Sequence, residues 1–262
     1  MTDMINQGLD PLGYITNPYS ADHIQEEFKP VVAGAIAALQ VEFPNKIHSI
    51  YLYGSIGRGN AIVGQSDLDM SLVFHSPLTA QDAEQLMTLA IQLSGRFSTV
   101  TKIDFDPGHV EEVLDAQETY RWHFWLKHCC CCVWGDDLSV GFAKHKPSVH
   151  IAHALNEDLD GFMDRLPAKG LVAPDIANKV VAKKLIRSAY YLIAPQDQSW
   201  YTDIHDCVHA AYPYYPAYRH ELEWALQLAT QGVSTSGTCI ELFQAFAPHL
   251  IECYQRQLSV NQ

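Results

Sequence analysis

The apolar positions change period several times along the chain. Between residues 21 and 43, Ile24, Phe28, Val31, Val32, Ile36 and Leu39 recur at helical spacing, and Pro44 closes the pattern. Residues 48–53 (HSIYLY) are rich in Ile and Tyr and read as a strand running into Gly54. A second strand is expected over 67–74 (DLDMSLVF). A helix follows over 80–93, with Ala83, Leu86, Leu89, Ala90 and Leu93 on one face. A third strand covers 99–105 and is expected to stop at Pro107-Gly108. Residues 111–128 have helical character, and 129–134 (CCCCVW) read as a short strand before Gly135. From about residue 149 the strand signals fade, and 176–192, 221–228 and 238–258 read as helices.

This order predicts an α+β domain, a mixed sheet with packed helices, over residues 21–142. The polar stretch FAKHKPS marks a boundary, and an all-α helical bundle is expected over 150–262. Residues 1–20, polar and carrying Gly8, Pro11, Gly13 and Pro18, read as an irregular lead-in.

Composition narrows the class. The 262 residues are 48% hydrophobic and 18% charged, an ordinary globular balance. Thirty acidic against 17 basic residues give a net charge of −13. Such a chain is repelled by nucleic acid phosphates and anionic lipid, so neither is an expected partner. No basic segment followed by an apolar run opens the sequence, and no stretch approaches the roughly 20 apolar residues of a membrane span. Seven cysteines, four of them contiguous from Cys129 to Cys132, make a poor disulfide framework. Reduced thiols and a cytoplasmic location are expected. His128, Cys129 and Cys132 lack a second ligand pair at zinc spacing, so a buried, inert strand is expected there.

The chemistry concentrates in residues 53–73, YGSIGRGNAIVGQSDLDMSLV. Asp67 and Asp69 alternate with Leu68 and Met70, so a strand points both carboxylates one way and both apolar side chains the other. Two like charges side by side need a cation between them, and hard oxygen ligands suit Mg²⁺. Gly54 and Ser55 follow a strand directly, where glycine lets backbone approach a bulky anion. The glycine spacing is not the dinucleotide fingerprint, and no P-loop motif is present. Phosphoryl or nucleotidyl chemistry follows from the combination.

These residues resemble the signature of the DNA-polymerase-β-like nucleotidyltransferase superfamily: Gly-Ser, a small residue, Arg-Gly, a loop, then Ser-Asp-x-Asp. Gly54, Ser55, Gly57, Arg58, Gly59, Ser66, Asp67 and Asp69 match it. The resemblance implies a third carboxylate on a later strand, which Ile103-Asp104-Phe105 fits, and a closing turn, which Val133 to Leu138 (VWGDDL) fits. It implies that Asp67, Asp69 and Asp104 are catalytic and bind metal, and that Gly54, Ser55, Arg58 and Ser66 contact a nucleoside triphosphate. Asp106, two residues beyond Asp104, shares its strand face and is an alternative. The helical half is similar in layout to the aminoglycoside adenylyltransferases.

Two features of that half stay open. Lys184 and Arg187, three apart on one helix, are either a solvated face or a clamp on the β- and γ-phosphates. Trp200, Tyr201, Tyr212, Tyr214, Tyr215 and Tyr218 either stack a base or sugar or pack an irregular connection. The function expected from the whole is Mg²⁺-dependent transfer of a nucleoside monophosphate, AMP from ATP, to a hydroxyl of a small-molecule acceptor, with pyrophosphate released. The alternatives are a non-catalytic, antitoxin-like nucleotide-binding protein, or a nucleotidyltransferase acting on protein or RNA.

Overall fold

The structure is a computed structural model, described over residues 7–165, 174–231 and 238–260. The chain divides into two compact units, Thr16–His145 and the pair of segments Met1–Ile15 and Lys146–Gln262.

The unit Thr16–His145 holds a four-stranded mixed sheet. Its strands are β1 (Ile47–Tyr53), β2 (Leu68–Phe74), β3 (Ile103–His109) and β4 (Cys131–Gly135), in the order β3-β2-β1-β4. β1 runs antiparallel to both β2 and β4, and β2 runs parallel to β3. Alternation along β2 sorts its side chains. Leu68, Met70, Leu72 and Phe74 are buried against α1 (Lys29–Glu42) and α3 (Ala80–Arg96), together with Ile50 and Leu52 of β1 and Leu86, Leu89 and Leu93 of α3. Each fully buried leucine here contributes about 1.5–3 kcal/mol. The opposite face carries Tyr51, Tyr53, Asp69, Ser71, Asp104 and Asp106, and so the hydrophobic core fixes where the polar row lies. Short helices α2 (Gly54–Arg58) and α4 (Val110–Leu114) follow β1 and β3, and α5 (Trp122–His128) precedes β4.

Four segments differ from the sequence expectation. The helix expected over 21–43 is a 3₁₀ turn, Ala21–His23, followed by α1. The Ser20 side chain caps the turn by accepting from Asp22 N, and Pro30 opens α1, where its missing N–H costs nothing. The third strand does not stop at Pro107-Gly108 but runs to His109. Among the described residues strand β3 pairs on one side only, with β2, and proline is tolerated on an open edge. The helix expected over 111–128 is broken into α4, a 3₁₀ helix (Ala116–Tyr120) and α5, because the Asp115 carboxylate accepts from Gln117 N at 2.9 Å and starts a new turn. The cysteine run enters the sheet at Cys131, two residues later than expected, with Cys129 and Cys130 buried before it.

The second unit is helical. Its longest helix, α8 (Pro174–Asp197), is flanked by α6 (Val149–Ala154), α9 (Ile204–Ala211), α10 (Arg219–Gln231) and α11 (Thr238–Val260), with α7 (Phe162–Arg165) a single turn. Val181, Leu185, Ile186, Ala189 and Ile193 of α8 meet Leu222, Ala225 and Leu228 of α10 and Leu242, Phe246 and Leu250 of α11 in its core. Trp200 and Tyr215 of the aromatic stretch are buried in this unit, and the Tyr215 hydroxyl donates to Ala189 O at 3.0 Å. Tyr218 stacks on His249 with ring centroids 4.4 Å apart. Gln7 O accepts from Trp200 N at 2.6 Å, which ties the described start of the chain to this unit. Among the described residues no helix is long and apolar enough to cross a membrane.

The turn after β4 yields a stability test. Gly135 sits at φ +82, and a Cβ there would lie 2.1 Å from His48 O. The chain then returns so that Leu138 N donates to the buried Tyr51 hydroxyl at 2.8 Å. Gly135→Ala is expected to lose about 1–3 kcal/mol from backbone strain. Urea denaturation measures it, and an unchanged midpoint would show that this turn yields freely.

Candidate active site

Asp69 is the centre of a row across three strands. Its Cα pairs with Tyr53 on β1 and with Asp104 on β3, so the parallel register of β2 and β3 sets two carboxylates side by side. Asp67 precedes β2 by one residue and joins them from the strand's mouth. One oxygen from each of Asp67, Asp69 and Asp104 lies within 4.8 Å of the other two. Among the described residues no other group of His, Cys, Asp and Glu gathers in this way.

This crowding has an electrostatic cost. Burial first, then the charges of Asp67 and Asp104, push Asp69 up to about 7, and Lys102 opposes them. The Lys102 ammonium donates to Asp104, and it lies 3.9 Å from Asp67 Oδ2. The Thr101 hydroxyl donates to Asp67 Oδ1. Neither residue stands out in the sequence. The dipeptide reaches the site because Thr101 N donates to Ser66 O at 3.0 Å and Leu68 N donates to Lys102 O at 3.0 Å. Pairing begins with these bonds, before the first residue of β3.

The Gly54 turn is constrained from the same side. Gly54 has φ +73, and a Cβ on it would lie 2.2 Å from Asp69 Oδ2. Glycine is therefore required by the carboxylate packed against it, a reason separate from any anion above the turn. Ser55 follows in the first turn of α2, and its carbonyl accepts from Asn60 N at 3.1 Å.

The other sequence candidates have partners of their own. The Arg58 guanidinium donates to the Tyr19 hydroxyl at 2.9 Å and covers the Tyr19 ring at 5.5 Å. The Ser66 hydroxyl accepts from Ile62 N at 2.9 Å and closes the loop that leads into β2. Lys184, in the helical unit, donates to Asp158 Oδ1 at 2.5 Å and to Leu155 O at 3.1 Å, and burial lowers its proton affinity. A triphosphate could engage Lys184 only in exchange for these bonds. Arg187, one turn further along α8, is exposed.

Asp106 lies two residues beyond Asp104 and accepts from the Tyr53 hydroxyl. Burial of its carboxyl and the nearby Asp104 raise its proton affinity, while the Tyr53 bond opposes them. Tyr53 meets Trp125 edge to face at 5.1 Å, and Trp125 Nε1 donates to Ser71 Oγ at 3.0 Å. Trp125 also lines a pocket of about 350 Å³ with Glu112, Arg121 and Trp122. The seven cysteines are free, and burial pushes the Cys131 and Cys132 thiols each up to about 11, which disfavours their thiolates.

Hard oxygen donors, like charges in contact, and a turn with no side chain against Asp69 together fit a divalent cation such as Mg²⁺.

Compared with protein-family models the sequence matches none, and no curated protein sequence matches it. Among solved structures the chain is similar to spectinomycin adenyltransferase AAD(9) from Enterococcus faecialis, solved with ATP and spectinomycin. The TM-score is 0.60 at 14% identity, over 84% of this chain and 98% of that one. At that identity the likeness is one of fold: a nucleotidyltransferase-like mixed sheet with packed helices, followed by a helical region, in the layout of an aminoglycoside adenylyltransferase.

Proposed function

We propose that this protein is a Mg²⁺-dependent nucleotidyltransferase that moves AMP from ATP to a hydroxyl of a small-molecule acceptor and releases pyrophosphate. The observation that carries the reading is the convergence of Asp67, Asp69 and Asp104 from two neighbouring strands within 4.8 Å. The fold shared with an adenyltransferase solved with ATP supports it.

In this reading Asp67, Asp69 and Asp104 hold Mg²⁺, which when bound neutralises charge on the attacking and leaving oxygens. The protein's part is position and electrostatics. The Gly54-Ser55 turn, beside Asp69, takes the phosphates through backbone N–H groups and the Ser55 hydroxyl. Asp104, on the edge strand, orients the acceptor hydroxyl and receives its proton as it attacks the α-phosphorus in line. The pocket lined by Glu112, Arg121, Trp122 and Trp125 takes the acceptor. Its tryptophan walls suit stacking on a polyhydroxylated ring, of the aminoglycoside type, while Glu112 is paired with Arg121 and His109. Incubation with α-labelled ATP, Mg²⁺ and a panel of aminoglycosides and other hydroxyl compounds tests the reading. Transfer of label to one class of acceptor is expected, and no transfer to any acceptor counts against it.

Two variants separate the carboxylates on β3. Asp104 is flanked by buried Ile103 and half-buried Phe105, whose packing fixes its direction, and it pairs in register with Asp69. Asp106 is committed to Tyr53. At saturating Mg²⁺, Asp104→Asn is expected to lower the transfer rate by roughly two to four orders of magnitude, and Asp106→Asn to lower it by less than about tenfold. The reverse order would reassign the third carboxylate.

Asp69 makes a prediction about stability. An unfolded aspartate titrates near 4, and folded Asp69 near 7. Between these values the folded state binds the proton more tightly, so stability falls as pH rises from about 4 to about 7. Asp69→Asn removes that loss. In EDTA at pH 8 the variant is expected to be more stable than the parent, by at most about 4 kcal/mol, with the gap closing toward pH 4. Mg²⁺ is expected to stabilise the parent and leave the variant nearly unchanged. Thermal melts across this pH range check both. A parent that is more stable at pH 8 without metal would show that Asp69 is not under electrostatic stress.

A further inference from the structure

Lys102 is a residue that neither the motif nor the reaction above requires. Its ammonium donates to Asp104 and lies 3.9 Å from Asp67 Oδ2, so it sits against two of the three carboxylates proposed to hold Mg²⁺. Its side chain is 55% exposed, while its carbonyl is held by Leu68 N at 3.0 Å. The Cα is thus anchored beside Asp67, and the four-carbon stem is free to swing. Thr101 occupies Asp67 Oδ1 with its hydroxyl, which leaves Oδ2 facing Lys102. The bland alternative is a solvated strand lysine paired with its i+2 neighbour Asp104, with no bearing on what else those carboxylates bind.

We propose that Lys102 is an exchangeable internal counter-ion. It partly neutralises the carboxylate cluster when no divalent cation is bound, and it turns to the phosphates of the nucleotide when one is. The inference rests on the cluster being a metal site, as proposed above. A divalent cation drawn to three carboxylates must displace or outweigh the ammonium already among them. An ammonium expelled by that cation lies within reach of the polyphosphate that accompanies it, where its charge is again matched. Lys102 would then weaken binding of the bare metal and strengthen binding of the metal-nucleotide complex. The metal and the nucleotide would then each bind more tightly in the presence of the other.

Mn²⁺ titration followed by electron paramagnetic resonance, on the full chain at fixed ionic strength, tests this without turnover. Lys102→Met keeps the length and removes the charge, and Lys102→Arg keeps the charge. Without nucleotide, Lys102→Met is expected to bind Mn²⁺ roughly tenfold more tightly than the parent, the order of effect of one unit charge near 4 Å at a partly exposed site. With α,β-methylene-ATP, a non-transferable analogue, the same variant is expected to bind the Mn²⁺ complex roughly tenfold more weakly. Lys102→Arg is expected to follow the parent in both titrations. Unchanged or weaker Mn²⁺ binding by Lys102→Met overturns the counter-ion role while the metal site stands. If the parent binds no more Mn²⁺ than an Asp67→Asn control, the metal site itself fails and the Lys102 role fails with it.

Discussion

Like charges held within 4.8 Å of one another repel, and the unit Thr16–His145 is organised around keeping three of them there. Asp69 cannot retreat, because Leu68 and Met70 on either side of it are fully buried and pin β2 to the helices behind the sheet. Asp104 cannot retreat either. It pairs with Asp69 in a parallel ladder whose next apolar residue, Ile103, is buried in the same core. The energy of the hydrophobic face therefore holds a polar face in a geometry that its own charges disfavour. Burial of Asp69, and then the charges of Asp67 and Asp104 beside it, raise its proton affinity.

The neighbouring features follow from the same constraint. Gly54 has no side chain because Asp69 Oδ2 occupies the space one would need. Thr101 and Lys102 supply a hydroxyl and an ammonium to Asp67 and Asp104, and backbone bonds to Ser66 and Leu68 bring them there. Tyr53 gives its hydroxyl to Asp106, the fourth carboxylate on this face. Each contact offsets a small part of the repulsion, and none supplies the double positive charge that would cancel it. This is the physical case for a divalent cation, and it does not depend on the resemblance of the motif.

How much of this was legible in the sequence depended on range. The common direction of Asp67 and Asp69 follows from local alternation, since Leu68 and Met70 between them are apolar. The approach of Asp104 was legible only through the motif resemblance, because nothing near Ile103 says which strand it will lie beside. The end of β3 was misjudged, since Pro107 stops a central strand but not an edge one, and edge status is a property of the whole sheet. Thr101 and Lys102 were invisible for a similar reason. Their importance comes from bonds to Ser66 and Leu68 across a helix and a loop. Arg58 and Ser66 match the motif by spacing, yet their side chains engage Tyr19 and Ile62, partners that spacing could not name.

The position of β3 at the sheet edge also bears on how such a site can work. A carboxylate on a central strand has neighbours on both sides and is reached only from the face. Among the described residues Asp104 has β2 on one side and no strand on the other, so in the proposed reaction an acceptor would come from that edge. Asp69, one strand further in, has a strand on each side and lies beside the Gly54 turn. On the proposed reading the two carboxylates paired in register would serve different ligands, Asp104 the acceptor and Asp69 a nucleotide held at the turn. A transfer reaction would use that asymmetry, because the attacking hydroxyl and the leaving pyrophosphate must lie on opposite sides of one phosphorus. In the proposed reaction the strand order would offer it before any side chain is specialised.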